Sequence, residues 1–340
     1  METLVLHPQD EGCVSRAAEV IRAGGLLAIP TETVYGLGAS ALNEDAVKRI
    51  FEVKGRAQDN PLIIHVSSAR DIEKYCRDVP ETAYLLAEKF WPGPLTMVLY
   101  KKDIIPERVS AGLDTVAVRC PESEITRKII EKSGVPIAAP SANLSGKPST
   151  TTAEHVLHDI GGRIEAVVDG GKCRVGLEST IVDLTVTPAR LLRPGGVTAE
   201  QLRETLGALE VDPAVERALT GDEKPKAPGM KYRHYAPEAK VIIVRGESER
   251  AAAYINASSD EKTAVLCYDG EKALYSAPIV LPYGREEKGE ELAENLFAAL
   301  RELDETDVTK IYARCPESGG VAFAVRNRLQ KAAGYNIVEV

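Results

Sequence analysis

The sequence predicts an α/β protein with two domains, on three observations. Short apolar runs alternate with amphipathic stretches along the first two thirds of the chain, as strands and helices do in α/β domains. A chain of 340 residues is longer than one hydrophobic core usually supports. The apolar rhythm fails over residues 209–237 and then resumes, so we expect domains over 1–208 and 238–340 with a linker between them.

The elements of the first domain follow from hydrophobic periodicity. Apolar runs predict strands at 26–30, 62–66, 95–100, 115–119, 136–140, 166–169, 179–184 and 189–193. Amphipathic stretches predict helices near 13–23, 43–54, 70–76, 81–90, 123–133, 152–159 and 198–206. Asn43 precedes Glu44 and Asp45 and is a good N-cap residue for the second of these helices. Because strands and helices do not alternate strictly, we expect a twisted sheet of mixed parallel and antiparallel strands.

The second domain is predicted to be smaller and Rossmann-like. Strands are expected at 241–245, 263–268, 278–283, 310–315 and the C-terminal YNIVEV, with helices near 248–257, 290–302 and 320–332. The linker ends in PKAPGMKYRHYAP, in which Tyr232, Arg233, His234 and Tyr235 form an aromatic and basic cluster. Composition alone leaves two interpretations of that cluster open, a tether anchored by its tyrosines or a functional segment.

Composition and charge exclude several classes of function. The formal net charge of -9 is unlike that of proteins that hold nucleic acid on a broad basic face, so any anion site must be a local pocket. The six cysteines show no zinc-ligand spacing and no disulfide framework. The N-terminal segment lacks the apolar run of a signal peptide or membrane span, which predicts a cytoplasmic protein. The Gly-rich phosphate-binding loops of common nucleotide enzymes are absent.

Polar residues follow several of the predicted strands, where α/β sheets bind ligands. The segment PTETVYGLG (30–38) supplies hydroxyl groups and a carboxylate, and a second segment supplies Lys54, Arg56, Asn60 and His65 within a short stretch of chain. Taken alone, Lys54 and Arg56 are also consistent with a solvated helix end, and His65 with a hydrogen-bonded structural residue.

Two further segments carry donors that could bind phosphate oxygens. PSANLSGKPS (140–149) contains Ser141, Asn143 and Ser149, while LEST and LLRPGG contribute Ser179 and Arg193. Each also has a structural interpretation, as a helix start or a strand-end charge. The pentapeptide Arg-Cys-Pro-Glu-Ser occurs at 119–123 and at 314–318, each time between a predicted strand and a helix, and its unmatched flanks indicate coincidence rather than a repeat.

Together these motifs resemble the YrdC family. The similarity covers PTETVYGLG, Lys54-x-Arg56, Asn60-Pro61, WPGPLT, TVAVRCP, Ser141-x-Asn143, LEST and RPGG in order and spacing. The linker PGMKYRHYAP and the C-terminal domain resemble the two-domain threonylcarbamoyl-AMP synthases of that family. The resemblance implies a YrdC-like twisted mixed sheet around a deep cavity.

The resemblance also assigns roles to residues of this sequence. Lys54, Arg56, Ser141 and Asn143 would be catalytic. The threonine site would contain Thr33, His65, Arg119, Ala139 and Ser179. The ATP site would contain Arg56, Asn60, Thr115, Ser141, Ser149, Arg193 and Tyr232, with Tyr232 closing over the nucleotide from the linker. No protein metal site is expected, because Mg²⁺ would arrive on the ATP phosphates.

The implied reaction is that of a nucleotidyltransferase. It condenses L-threonine, bicarbonate or CO2, and ATP to L-threonylcarbamoyl-AMP and pyrophosphate, for threonylcarbamoyladenosine in tRNAs that read ANN codons. The product would pass to the tRNA threonylcarbamoyl-transfer machinery, with no membrane and no stable nucleic-acid partner. Two alternatives remain at this stage: an RNA-binding module without catalysis, and a carbamoyltransferase similar to hydrogenase-maturation proteins that contain a YrdC-like domain.

Overall fold

A computed structural model describes residues 2–217, 227–228, 235–317 and 319–340 of the protein. These residues form two compact units. The first contains the described residues within Met1–Ser145, Ser149–Arg174 and Glu178–Lys231. The second contains those within Gly146–Pro148, Val175–Leu177 and Tyr232–Val340. The boundaries of the linker over 209–237 stay a prediction.

The first unit contains most of the elements predicted from periodicity. Its strands are β1 Leu4–Leu6, β2 Leu27–Ile29, β3 Gly36–Ser40, β4 Ile63–His65, β5 Leu95–Tyr100, β6 Thr115–Arg119, β7 Ile137–Ala138, β8 Ala166–Val168, β9 Thr180–Asp183, β10 Ala189–Arg193 and β11 Leu209–Val211. Its helices are α1 Cys13–Arg22, α2 Glu44–Lys54, α3 Ile72–Tyr75, α4 Glu81–Phe90, α5 Glu107–Ser110, α6 Glu124–Ser133, α7 Ala153–Ile160 and α8 Ala199–Leu206, with 3₁₀ turns at Ala69–Asp71 and Pro213–Val215.

These strands form one mixed sheet of 11 strands, as the sequence predicts. Their order is β1-β8-β2-β3-β7-β4-β6-β5-β9-β10-β11. Parallel pairs such as β4 with β6 alternate with antiparallel pairs such as β5 with β6. The apolar faces of α1 and α6 pack against β2 and β8, and this cluster includes Ile21, Ile29 and Ile129. The carboxyl ends of β4 and β6 therefore lie side by side, where their last residues, His65 and Arg119, are paired.

Sequence periodicity missed the shortest and the least regular elements. We predicted 30–38 as a ligand-binding loop, whereas Gly36–Ser40 forms β3, antiparallel to β2. Its glycines explain the error, because Gly lowers strand propensity. An added Cβ at Gly38 would lie 2.8 Å from a side-chain atom of Ile137, so close packing requires glycine there. β11 pairs with β10 inside the segment that we predicted as linker.

The second unit matches the periodicity closely. It contains β12 Lys240–Arg245, α9 Ser248–Ser258, β13 Thr263–Cys267, a 3₁₀ turn at Asp269–Leu274, β14 Ile279–Pro282, α10 Gly289–Asp304, β15 Lys310–Ala313, α11 Val321–Ala332 and β16 Ile337–Glu339. All its strand pairs are parallel, in the order β14-β13-β15-β12-β16. A parallel sheet with crossover helices is the Rossmann-like arrangement that the alternating pattern predicts.

Helix length and polarity bear on membrane insertion. The longest helix of the second unit, α10, has 16 residues and begins with Glu290 and Glu291 in its first turn. Across the described residues, no helix combines the length and the apolar character needed to cross a membrane.

Candidate active site

Lys54 fixes the loop that contains Ser141 and Asn143. It is the last residue of α2 and is 2% exposed. Its Nζ donates to the backbone carbonyl of Ser141 at 2.5 Å and to that of Asn143. The helix ends at Gly55, whose φ of 62° is left-handed and favours glycine. Three of the four predicted catalytic residues are thus brought together by a buried ammonium group.

Arg56 and Asn60 lie on the turn that leads into β4. Arg56 Nη2 donates to the carbonyls of Asn60 at 3.4 Å and Pro61 at 3.2 Å. Asn60 is buried, and its Oδ1 has no hydrogen-bond partner among the described residues. Thr115 begins β6, which runs parallel to β4 with Ile63 beside Ala117. Thr115 is therefore at the same end of the strand pair as Pro61, and the structure places the three predicted ATP residues of this region near one another.

A buried ion pair holds the predicted threonine-binding arginine. Arg119 Nη2 lies 2.6 Å from Oε1 of Glu32, and the two side chains are 4% and 5% exposed. Arg119 Nη1 donates to Thr33 Oγ1 at 2.8 Å, and Nε donates to the carbonyl of Gly93 at 3.2 Å. Because an arginine has five N–H groups, these contacts leave two that a ligand carboxylate could use. Glu32 also accepts the backbone N–H of Glu122 at 3.0 Å, so its carboxylate is fixed as well.

His65 is neutral in this environment. It pairs with Arg119 across β4 and β6, and it is 3% exposed. Burial, with Arg119 as a second cause, lowers the pKa of His65 to about 3. Its Nδ1 is buried without a hydrogen-bond partner among the described residues. A neutral imidazole of this kind can accept or donate a hydrogen bond to a ligand but is a weak base.

Ser179 is linked both to Arg193 and, through Thr96, to the strand next to Arg119. Its Oγ lies 2.8 Å from Oγ1 of Thr96, which is the cross-strand partner of Arg119. Arg193 donates from Nε to the carbonyl of Ser179 at 3.0 Å and from Nη2 to Ser179 Oγ at 3.2 Å. Arg193 is 5% exposed, so its charge is held inside the unit.

Two further predicted residues, Ala139 and Ser149, also lie in the first unit. Ala139 donates its backbone N–H to the carbonyl of Ile63 at 3.0 Å, beside the Cα of Gly36. Ser149 is fully buried and donates its hydroxyl to the carboxylate of Glu178. Tyr232 lies outside the described residues, and its predicted role stays a prediction.

Sequence reasoning missed three residues that hold this site together: Glu32, Thr96 and Glu178. Each is buried and binds a predicted site residue. Glu32 and Arg119 are 87 positions apart in the chain, so no local spacing announces their contact. The available signal was an acidic residue within an otherwise apolar or hydroxyl-rich strand-end motif, in TET and in LEST. Such residues are seldom buried without a partner.

The described part of the first unit contains buried polar atoms that could contact a ligand. The described residues contain no group of three or more His, Cys, Asp or Glu side chains that could hold a metal. By contrast, Asn60 Oδ1, His65 Nδ1 and Thr150 Oγ1 are buried atoms without hydrogen-bond partners in the described part of the chain. Because burying a polar atom without a partner is unfavourable, these atoms are consistent with contacts to a polar ligand.

Comparison with protein families matches nearly the whole chain. Residues 19–195 match the Sua5/YciO/YrdC family, described as telomere recombination. Residues 197–334 match the family described as the threonylcarbamoyl-AMP synthase C-terminal domain. Both matches agree with the family resemblance of the motifs in this sequence.

Individual proteins are similar over the same extent. The threonylcarbamoyl-AMP synthase of Pyrococcus abyssi is 49% identical, with 97% of each chain covered. That of Bacillus subtilis is 45% identical over 96% of this chain and 94% of its own length. The solved structure of P. abyssi Sua5 complexed with L-threonine has a TM-score of 0.93 at 48% identity, covering 100% of both chains. Escherichia coli YciO, at 22% identity and a TM-score of 0.51 over 57% of this chain and 95% of its own, supports the fold of the first unit alone.

We predict that Glu32→Gln destabilises the protein strongly. The substitution leaves the buried Arg119 guanidinium without its counter-charge, which typically costs about 3–5 kcal/mol. The measurement is the free energy of unfolding in urea. Glu122→Gln is the matched control, because its ion pair with Arg174 is exposed and should contribute less than about 1 kcal/mol. Equal effects of the two substitutions would contradict the role of Glu32.

We predict that His65 makes the fold sensitive to acid. Since its pKa is lowered in the folded state, the unfolded chain binds the extra proton, and stability is lost as the pH falls below about 6.5. Between pH 6.5 and pH 5 this one group should cost about 2 kcal/mol. Urea unfolding at pH 7.5 and pH 5.0 should show a smaller difference for His65→Asn than for the wild type. His7→Asn, at a partly exposed position, is the control substitution; an unchanged pH dependence in His65→Asn would exclude the effect.

Proposed function

The chain belongs to the Sua5/YciO/YrdC family and carries the C-terminal domain of its threonylcarbamoyl-AMP synthases, and on this premise we propose how its own residues act. The enzyme condenses L-threonine, bicarbonate or CO2, and ATP to L-threonylcarbamoyl-AMP and pyrophosphate. The product serves threonylcarbamoyladenosine formation in tRNA reading ANN codons, through the threonylcarbamoyl-transfer machinery. We place this activity in the cytoplasm.

The residue assignment depends mainly on the buried Arg119. Its guanidinium is fixed by Glu32 and Thr33, and two further N–H groups remain available to a ligand. A bidentate guanidinium recognises a carboxylate by geometry as well as by charge. The threonine carboxylate would therefore bind Arg119, with Thr33, His65, Ala139 and Ser179 around the rest of the amino acid. The neutral state of His65 avoids a second cation beside the threonine amine.

We place the nucleotide beside Lys54, Arg56 and Arg193, which would supply positive charge in an acidic protein. Lys54 orders the Ser141–Asn143 loop, so that small hydroxyl and amide groups can reach phosphate oxygens. Asn60, Thr115 and Ser149 would complete the ATP site. Mg²⁺ would enter as part of the ATP substrate, since amide and hydroxyl donors alone do not form a dedicated protein cage.

The reaction needs positioning more than it needs a protein nucleophile. The threonine amine adds to CO2 and loses a proton to give a carbamate, and a carbamate oxygen then attacks the α-phosphorus while pyrophosphate leaves. The carbamate decomposes readily in water, so the groups must be held out of solvent. Fixed cations stabilise the charge that develops on pyrophosphate. Correct alignment of the two substrates can supply roughly 7–11 kcal/mol.

Membership of the synthase family over both domains favours this function over the two alternatives left by the sequence. Neither a carbamoyltransferase nor an RNA-binding module requires an arginine that binds the threonine carboxylate. Neither alternative has an observation of its own in its favour.

We predict that pyrophosphate release from Mg-ATP requires both L-threonine and bicarbonate, and that Ser141→Ala lowers kcat about 10- to 100-fold because it removes one hydrogen bond to a charged phosphate oxygen. The substitution keeps the backbone carbonyl that binds Lys54, so the loop should stay in place. Ser145→Ala, at an exposed position of the same loop, is the control and should retain full activity. Pyrophosphate release without threonine would contradict the proposed function, and a fully active Ser141→Ala would contradict the phosphate site.

We predict that Arg119→Lys raises the KM for threonine about 10- to 100-fold and leaves the KM for ATP unchanged. Lysine keeps the charge beside Glu32 but lacks the planar fork that binds a carboxylate through two hydrogen bonds. Steady-state kinetics with each substrate varied in turn provide the measurement. Arg190→Lys, whose partner Glu210 is on the surface, is the control. A parallel rise in both KM values would place Arg119 outside the threonine site.

A further inference from the structure

A carboxylate lies on the buried face of helix α7, where the helical pattern favours an apolar side chain. The buried residues of α7 are Ala153, Val156, Asp159 and Ile160, at the spacing of one helix face. Three of them are apolar, whereas the fourth is Asp159, whose side chain is 1% exposed. Burial of a carboxylate is costly, and the last turn of a helix disfavours negative charge. Positions that break the local pattern in this way are often functional.

Asp159 accepts a hydrogen bond from the segment that carries Ser141 and Asn143. Its Oδ2 lies 3.1 Å from the backbone nitrogen of Leu144, the residue directly after Asn143. Its other oxygen, Oδ1, lies 3.3 Å from Nδ1 of His158, whose side chain is exposed. The carboxylate therefore connects α7 to the Ser141–Asn143 loop.

Helix α7 does not need this carboxylate for its own backbone. At its start, the side chain of Thr152 accepts the N–H of His155, and at its end the N–H of Gly161 donates to the carbonyl of Leu157. The N–H group that Asp159 accepts lies outside the helix. The contact therefore serves the loop rather than the helix.

The N–H of Leu144 and the carbonyl of Asn143 belong to the same peptide group. Lys54 Nζ donates to that carbonyl, and Asp159 accepts from that N–H. Because a trans peptide is planar and its C=O and N–H point in opposite directions, partners at both ends fix the orientation of the plane. A cation at the oxygen and an anion at the N–H also polarise the peptide in the same sense, so each hydrogen bond strengthens the other.

The next peptide group is held in the same way. Its carbonyl, that of Leu144, accepts Nδ2 of the Asn143 side chain at 2.7 Å. Its N–H, that of Ser145, donates to the carbonyl of Lys54 at 2.9 Å. Two consecutive peptide groups are thus fixed, and the orientation of the Asn143 amide depends on both. Loss of the Asp159 contact would release the first of them at its N–H end.

We propose that Asp159 is a positioning residue for the nucleotide. It holds the Asn143–Leu144 peptide opposite Lys54 and thereby keeps Ser141 and Asn143 in the geometry that binds phosphate oxygens. Asp159 does not touch the substrate, since its effect passes through the N–H of Leu144. This inference rests on the proposed function, because it takes the Ser141–Asn143 loop as the binding site of the ATP phosphates.

The test is isothermal titration of the full-length protein with Mg-ATP and, separately, with L-threonine. Asp159→Ala should raise the Kd for Mg-ATP about 10-fold, the low end of the range for loss of one hydrogen bond to a charged group. The Kd for L-threonine should not change. Asp159→Asn should restore most of the affinity for Mg-ATP, because an amide oxygen can still accept the N–H of Leu144.

Asp212→Ala is the matched control. Asp212 also accepts a backbone N–H, that of Ala214 at 2.9 Å, but it does so outside the Ser141–Asn143 loop. Both Kd values should equal those of the wild type in this variant. A merely structural role of Asp159 would lower the fraction of binding-competent protein and leave the two Kd values of the remainder unchanged. Should Asp159→Ala not fold, Asp159→Ser, whose side chain is shorter, provides the same comparison.

The outcomes separate this inference from the proposed function. A wild-type Kd for Mg-ATP in Asp159→Ala would overturn the inference. Asp159→Asn that binds Mg-ATP as weakly as Asp159→Ala would also overturn it, because the charge and not the hydrogen bond to Leu144 would then be responsible. A wild-type protein that binds Mg-ATP but releases no pyrophosphate would contradict the reaction alone and leave the Asp159 comparison decisive. A wild-type protein that does not bind Mg-ATP would overturn both.

Discussion

The ion pair between Arg119 and Glu32 is the constraint on which the candidate site depends. A guanidinium that is 4% exposed is tolerated only with a counter-charge and with its N–H groups bound. Glu32 supplies the charge, and Thr33 and Gly93 supply acceptors. Glu32 and Thr33 precede β3, Gly93 precedes β5, and Arg119 is the last residue of β6. The contacts of this one guanidinium therefore fix three segments of the chain. His65 is then held neutral by burial and by this same cation.

A second buried cation organises the neighbouring loop by a different route. Lys54 donates to the backbone carbonyls of Ser141 and Asn143, and Asp159 accepts the backbone N–H of Leu144 in the same loop. The protein carries a formal net charge of -9; within the site, Lys54 and Arg193 donate to carbonyl and hydroxyl oxygens, whereas Arg119 binds the carboxylate of Glu32. The oxygen atoms that bind each cation therefore determine how much of its positive charge is neutralised within the site.

Periodicity predicted the second domain well because the strands of its parallel sheet are short apolar runs, and a clear helix follows β12, β14 and β15. The strand order β14-β13-β15-β12-β16 could not be predicted from the sequence, because strand neighbours depend on the crossover connections and not on the local hydrophobic pattern. In the first domain, β3 was taken for a loop because its glycines weaken the strand signal. The residues that carry substrate groups could be predicted from their motifs, while Glu32, Thr96 and Glu178 could not, because their partners are distant in sequence.

Both units contain a strand-end arginine that is paired with a buried glutamate, Arg119 with Glu32 in the first and Arg314 with Glu271 in the second. In each, an arginine at the end of a strand is neutralised by a buried glutamate, and its remaining N–H groups bind backbone carbonyls or a hydroxyl. The glutamate compensates the arginine charge and so stabilises the free protein. The guanidinium is held in a fixed orientation, which keeps its remaining N–H groups available to an incoming anion. In the first unit the surrounding polar atoms are buried, which suits a reaction that must exclude water.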